Sequence, residues 1–297
     1  MIKVVVVGYG NVGKYVVGEL KSCEEIQLVG IVRTRNYKTA PELKDFEVVN
    51  QIDKLSVKPD VAILTVPSRS VPELAEYFLK KGIHTVDSYD IHDHIFTVKT
   101  KLDKIAKENE RVSILSAGWD PGLNSVVRTI MQIAAPRGIT YTDFGPGMSM
   151  GHTVALKDIQ GVGDALAVTI PLGMGKHRRD VYIKPIKKID EQRIKLDIRN
   201  DDYFTKDTLD IQMVDEVTQF MDMGHATNIT RKGGSATVQN QRFHFDMQIN
   251  NPALTAQILI ASAKASVKQK PGCYTLLELP MCDLLSYPLS SQIQNLV

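Results

Sequence analysis

Three features of the sequence predict an α/β fold: a doubly wound parallel sheet followed by an α+β domain with a mixed or antiparallel sheet. Short apolar runs alternate with helical periodicity as far as Trp119, the pattern of strand–helix–strand units in a parallel sheet. The first run passes directly into a glycine-rich turn. Beyond Trp119 the candidate strands become longer and more polar, which marks a second kind of sheet.

The elements follow in order. Ile2–Val7 is a continuous β-branched run, suited to a strand buried on both faces. Residues 11–21 carry Val12, Tyr15, Val16 and Leu20 at helical spacing. Strands are expected at Ile26–Val32, 61–66, 83–86 and 112–115. Ser70-Val71-Pro72 opens a helix that Gly82 closes, because proline fits the first turn and glycine the last. A further helix covers Ile95–Glu108, and another starts at Asp120-Pro121-Gly122 and runs to Ala134. Residues 141–150 are glycine-rich and read as irregular. Antiparallel strands are expected at 180–186, 212–220, 226–232 and 237–249, and a helix from Asn251-Pro252 to Gln269. The domain boundaries expected are 1–118, 119–250 and 251–297, the last a helical segment packing back on the first.

Composition narrows the function. The 297 residues allow about two domains at roughly 150 residues each. At 43% hydrophobic and 24% charged they suit a globular protein with a full core. A net charge of +2 lacks the basic excess of a nucleic-acid binder. Three scattered cysteines make no disulfide framework, the opening residues lack a signal-peptide cleavage site, and no apolar run is long enough for a membrane. A cytoplasmic protein without nucleic-acid or membrane partners is expected.

Gly8-Tyr9-Gly10-Asn11-Val12-Gly13 is GxGxxG, placed between a buried strand and a helix. That context gives the motif its meaning as a Rossmann dinucleotide site. Gly8 allows the tight turn, Gly10 the approach of a pyrophosphate, and Gly13 the close packing of helix on strand. The free N–H groups of the helix N-terminus attract the phosphates. The second strand then ends in Arg33-Thr34-Arg35, where an NAD enzyme carries an acid for the ribose 2′-hydroxyl. Arginines bind a 2′-phosphate by paired, charge-assisted bonds, so NADP is the expected cofactor.

Ligands of open parallel sheets lie beyond the carboxyl ends of the strands. Three segments fall there: Thr65 to Ser70, Asp87 to Asp90, and Ser116 to Gly122. Asp90, Asp120 and the chain's single Trp119 are the candidates for chemistry, since carboxylates so placed bind or deprotonate an amine. Asp120 also reads as a helix cap ahead of Pro121, and Asp90 as a solvated loop acid. His92 and His94 read as surface residues. No zinc-site spacing, nucleophile elbow or Walker loop is present, and no metal is expected.

The segments Val7 to Gly13, Val86 to Asp90, Ser116-Ala117-Gly118-Trp119-Asp120-Pro121-Gly122 and Phe144-Gly145-Pro146-Gly147-Met148-Ser149-Met150-Gly151-His152 resemble meso-diaminopimelate dehydrogenases in order and spacing. Asn250-Asn251-Pro252 and Lys270-Pro271-Gly272 continue a likeness that covers the whole chain. The resemblance implies NADP-dependent oxidative deamination of the D-centre of meso-2,6-diaminopimelate, giving L-2-amino-6-oxopimelate and ammonia, and the reverse amination in lysine biosynthesis. It assigns Asp90, Trp119, Asp120, Met150 and Gly151 to the reacting D-centre. It assigns Phe144, Thr169, Arg179, His225 and Asn251 to the distant L-centre. Arg33, Thr34 and Arg35 match the 2′-phosphate contacts, while Thr65, Pro67 and Ser68, with Ser88 and Tyr89, match the nicotinamide side. The chain is short in the middle of its second domain, as in the subtype that accepts other 2-oxo acids and D-amino acids. A homodimer or a dimer-based hexamer is implied. Other readings are a broad D-amino acid dehydrogenase, a non-catalytic NADP-binding sensor, and another reductase of the lysine or aspartate pathway, such as homoserine dehydrogenase or dihydrodipicolinate reductase, the last lacking its paired-histidine and lysine motif here.

Overall fold

A computed structural model describes residues 1–33, 41–186, 190–221 and 224–297. The expected 2′-phosphate residues Thr34 and Arg35 lie outside the described residues. Contacts divide the chain into two compact units, Met1–Val126 with Pro252–Val297, and Val127–Asn251.

In the first unit the described elements are β1 (Ile2–Val7), α1 (Asn11–Leu20), β2 (Ile26–Val32), β3 (Val48–Val49), β4 (Val61–Leu64), α2 (Val71–Lys80), β5 (His84–Asp87), α3 (Ile95–Glu108) and β6 (Val112–Ile114). Then α4 (Leu123–Ala134) crosses into the second unit. Among the described residues seven parallel strands form the first unit's sheet, in the order β6-β5-β4-β1-β2-β3, with a late strand beyond β6.

The apolar run of β1 serves both faces of this sheet. Val4 and Val6 join one core cluster with Val16, Val17 and Leu20 of α1, whereas Val5 and Val7 join another with Phe78 and Leu79 of α2. Side chains alternate along a strand, so burial on both faces requires an uninterrupted run. Tyr15 is turned outward, at 39% exposure, and is not part of the core stripe.

The second unit contains β7 (Arg137–Met148), α5 (Met150–Lys157), β8 (Val162–Gly173), β9 (Lys176–Pro185), α6 (Glu191–Asn200), β10 (Thr208–Met213), β11 (Gly224–Ser235) and β12 (Val238–Asn250). Its described strands form one mixed sheet, order β10-β9-β8-β7-β11-β12. Ala155 and Leu156 of α5 and Ile194 and Ile198 of α6 pack with Ala165, Ala167, Val181 and Ile183 of the sheet. The chain then returns to the first unit through α7 (Asn251–Ser266), whose Ala256, Leu259 and Ala263 share the cluster of Val4 and Val6. The strand β13 (Gly272–Tyr274) pairs with β6, and α8 (Leu289–Leu296) ends the elements. No helix of the described residues is long and apolar enough to cross a membrane.

Several expectations need correction. Residues 141–150 are not irregular, since 137–148 form β7. The glycines there mark close backbone approach: a Cβ on Gly145, at φ +96°, would lie 2.3 Å from the Thr169 carbonyl oxygen. The expected strand 212–220 is displaced, because the strand is Thr208–Met213 and Thr218–Phe220 is a 3₁₀ turn. Its pairing with β9 is parallel, so the sheet is mixed. The strand β8 and the helix α6 were not expected. The last segment also holds a strand, β13, short enough that three residues gave no period to read. Finally, α4 begins at Leu123, three residues after Asp120, so Pro121 is not in its first turn.

Gly145→Ala combines a positive φ with a backbone clash, and is expected to destabilise the protein by about 1–3 kcal/mol. Chemical denaturation of both proteins measures this; an unchanged midpoint would show that β7 and β8 can separate at no cost.

Candidate active site

In the first unit the functional segments lie at one edge because the strands carrying them are parallel neighbours. In the order β6-β5-β4-β1 their carboxyl ends lead into residues 116–122, 88–90, 65–70 and 8–13. The glycine turn is fixed by backbone proximity: a Cβ on Gly8, at φ +99°, would be 2.4 Å from the Thr65 carbonyl oxygen. A Cβ on Gly13 would meet the Gly8 carbonyl oxygen and Thr65 Oγ1, each at 2.8 Å. Thr65 donates its hydroxyl to the carbonyls of Val7 and Gly8, both at 3.1 Å, so it braces the turn from below.

Gly10 is different, with nothing within 4 Å of where a Cβ would stand. It faces open space at the N-terminus of α1, which has no side-chain cap and no acid in its first turn. Asn11 is exposed, while Val12 packs against the core. At the end of β2 the Arg33 guanidinium stands 5.1 Å from the Tyr9 ring centroid. Its Nη1 is buried and has no hydrogen-bond partner among the described residues. An uncapped helix N-terminus, an open glycine and an unsatisfied guanidinium nitrogen together fit an anionic dinucleotide bearing an extra phosphate.

The next loops interlock around Asp87, which is fully buried. Its Oδ1 accepts from the backbone N–H of Tyr89 at 2.9 Å and of Ser116 at 3.1 Å. Its carbonyl accepts from Ala117 N–H at 2.7 Å. Oδ2 has no partner among the described residues, and burial pushes the carboxyl up to about 7. Both strand-end loops therefore hang on one carboxyl group. Tyr89 is itself a core residue at 2% exposure, so its backbone is what faces the loop. Asp90 accepts from the Ser68 hydroxyl at 2.6 Å; Pro67 is exposed, and Ser68 and Ser88 are half-buried. His92 and His94 are exposed.

Trp119 and Asp120 are both half-buried. A Cβ on Gly122, at φ +140°, would fall 1.9 Å from the Gly118 carbonyl oxygen, so the Trp-Asp-Pro-Gly turn closes only with glycine there. Asp120 Oδ2 accepts from Asn124 Nδ2 at 3.2 Å. Asn124 is fully buried, and it was not singled out in the sequence, although its spacing of four residues from Asp120 is a local signal.

In the second unit, strand register assembles another group. Arg179 of β9 pairs with Thr169 of β8, Thr169 pairs with Gly147 of β7, and Gly147 pairs with His225 of β11. The four stand in one row across the sheet. Thr169 and His225 are buried, at 1% and 5% exposure, as is Asn251 at 7%. Arg179 Nη1 donates to Thr169 Oγ1 at 2.6 Å, and Nε donates to Asp207. Phe144 meets His177 edge-on at 6.0 Å and lies 5.9 Å from the Arg128 guanidinium. Met150 and Gly151 begin α5 and are half-buried. His152, His177 and Asp207 also join this group; His152 closed the glycine-rich motif without an assigned role, and Asp207 escaped the sequence reading because it sits in a polar loop without a motif.

Two family models match the chain: the diaminopimelic acid dehydrogenase C-terminal domain over residues 118–175, and the CoA binding domain over residues 1–88. The meso-diaminopimelate D-dehydrogenase of Bacteroides fragilis is 49% identical, over 100% of this chain and 99% of its own. A solved structure of the Corynebacterium glutamicum diaminopimelate dehydrogenase in complex with diaminopimelate is 28% identical, covers 100% and 99% of the two chains, and superposes with a TM-score of 0.88. An engineered D-amino acid dehydrogenase bound to NADP⁺ gives 26% identity, the same coverage and the same TM-score.

The raised Asp87 carboxyl has a consequence for stability. A free aspartate titrates near 3.9, so the folded form holds its proton more tightly. The neutral form is preferred in the fold, and ionisation becomes a penalty that builds between about pH 4 and 7 and is complete above 7. Asp87→Asn places a neutral amide there and keeps the acceptor for Tyr89 and Ser116. Its stability relative to the parent is expected to rise by a few kcal/mol between pH 5 and pH 8. Denaturation at both pH values tests this, and a pH-independent difference would refute it.

Proposed function

The chain belongs to the meso-diaminopimelate D-dehydrogenase family, and on that premise we propose that it catalyses NADP-dependent oxidative deamination of meso-2,6-diaminopimelate at its D-centre. The products are L-2-amino-6-oxopimelate and ammonia, and the reverse amination supplies lysine biosynthesis. The full-length family likeness supports the reaction class. Among the chain's own features, the carboxylate of Asp120 held by Asn124 at the dinucleotide edge of the sheet carries the reading furthest.

When bound, NADP⁺ supplies the hydride acceptor. The residues that fit it are Gly8, Gly10 and Gly13 with the N-terminus of α1 for the pyrophosphate, and Arg33 for the 2′-phosphate. Thr34 and Arg35 belong to the same proposal from the resemblance.

At the D-centre the substrate nitrogen arrives as an ammonium. It must lose a proton before its lone pair can form the C=N bond that accompanies loss of the Cα–H as hydride. Asp120 is the proposed acceptor, with Asp90 acting directly or through water; Trp119, Met150 and Gly151 are assigned to the same centre from the resemblance. Water then adds to the C=N carbon and ammonia leaves. For the L-centre we assign Arg179, Thr169 and His225 to the remote carboxylate, with Phe144 and Asn251 beside them. Arginine suits a carboxylate because its planar fork matches both oxygens. Fixing the remote end turns the D-centre hydrogen one way, which gives the stereochemical preference. A cytoplasmic homodimer or dimer-based hexamer is part of the same proposal.

Mixing the protein with NADP⁺ and meso-, LL- or DD-diaminopimelate and following nicotinamide absorbance tests the assignment. NADPH is expected to form with the meso isomer foremost; formation from monocarboxylate D-amino acids at equal efficiency would favour the broader D-amino acid dehydrogenase, and none from any amino acid would sink the enzyme reading. Asp120→Asn is expected to lower kcat by about 10²-fold or more, the scale of general-base catalysis, with NADP⁺ affinity unchanged. Arg33→Ala is expected to weaken NADP⁺ about tenfold or more and to leave NAD⁺ binding nearly unchanged, because only NADP⁺ offers the phosphate.

A further inference from the structure

Arg179 is not simply a cation waiting for a ligand. Its side chain is 11% exposed, and Asp207, at 12%, accepts from its Nε. Two imidazoles converge on the same carboxylate: His152 Nε2 stands 3.3 Å from Oδ2, and His177 Nε2 stands 3.4 Å from Oδ1. Each ring is held in turn. Ser149 Oγ lies 2.8 Å from His152 Nδ1, and the His152 ring packs edge-on against Tyr203 and Phe204 at 5.4 and 5.2 Å. The His177 ring is set edge-on against Phe144. Although burial opposes it, hydrogen bonds from His152 and His177 and the Arg179 charge hold the Asp207 carboxyl far below the usual range.

The guanidinium has two edges able to receive a carboxylate. One includes Nε, which Asp207 takes. Nη1 is drawn towards Thr169 at 2.6 Å, and Nη2 lies 3.4 Å from His177. Each terminal nitrogen carries two N–H groups, so beyond the one directed to Thr169 or His177 each has a second with which to meet another carboxylate, beside the Thr169 hydroxyl.

We propose that Asp207, braced by His152 and His177, is a positioning residue that holds Arg179 as a buried cation with its terminal edge kept for the remote carboxylate of the substrate. The inference rests on the assignment of Arg179 to that carboxylate. Asp207 neutralises a cation that burial alone would not tolerate, and its placement at Nε sets the direction in which the fork opens. Asp207 touches neither the reacting carbon nor the cofactor in this role, so its loss acts on binding of the remote end.

Asp207→Asn removes the charge and keeps the shape. The expected result is a KM for meso-diaminopimelate raised about tenfold or more, the loss of one charge-assisted contact, with kcat within about twofold and the KM for NADP⁺ unchanged. His152→Gln weakens the brace only and is expected to move the same KM in the same direction by a smaller factor. A purely structural role would lower kcat and disturb NADP⁺ binding together with the substrate KM, and that result overturns the proposal, as does an unchanged KM in Asp207→Asn. Should Asp207→Asn fail to fold by circular dichroism, His152→Gln decides alone: a raised substrate KM at constant kcat supports the role, and any other pattern refutes it. Failure of the parent protein to form NADPH from meso-diaminopimelate removes the assignment of Arg179 and this inference with it, which separates the two.

Discussion

Backbone meeting backbone at distances that exclude a Cβ is the constraint on which both halves of the structure depend. Gly8 lies against Thr65, Gly122 against Gly118, Gly145 against Thr169, and Gly147 against Gly224. In the first unit this contact sets the dinucleotide turn and closes the turn that carries Trp119 and Asp120. In the second it draws β7 onto β8 and β11, so that Thr169, Arg179 and His225 fall in one row. Gly147 stands between Thr169 and His225 in that row and contributes no side chain, because the backbone of Gly224 and His225 occupies the place of a Cβ. The side chains that do chemistry are placed by residues that have none.

A second constraint concerns buried charge. A polar group taken out of water without a partner is costly, and a charge more so. The protein answers this in different ways at its two centres. At Asp87 burial shifts the carboxyl towards its protonated form, and one of its oxygens serves two loops through their N–H groups. The Arg179 cation is paired with Asp207, whose carboxylate the two histidines hold. The first device suits a scaffold, since the same carboxyl oxygen accepts from both loops. The second suits recognition, since a cation already desolvated and oriented meets an anion with little reorganisation.

The first unit was legible in the sequence because its signals are local. A β-branched run, the GxGxxG turn and a following helix fit within Ile2 to Leu20, and the observed bounds of β1 and α1 agree with the expected ones within a residue. The second unit was harder to read. Its glycines lie inside strands, where sequence reasoning takes them for loop, and their partners are distant residues that no local pattern reveals. The strand β8 went unread for a related reason: its central Ala165, Leu166 and Ala167 are all buried and do not alternate with polar residues. The parallel pairing of β10 with β9 depends on the intervening α6 and has no signature in β10 itself.

The site residues divide along the same line. Gly8, Gly10, Gly13, Arg33, Asp90 and Asp120 stand at strand ends, where a parallel sheet puts its ligands, and general reasoning reaches them. Thr169, Arg179 and His225 become neighbours only through register, and the family resemblance alone pointed to them. Asn124 and Asp207 were missed by both routes, yet each is the polar partner of a residue that was found. A carboxylate or guanidinium that is half-buried or more needs such a partner to be held in one orientation, and a freely rotating one would lose much of its value to positioning. Naming an ionisable residue as functional therefore commits the fold to a second polar residue close by, and the search for that second residue is where structure adds most to what sequence can say.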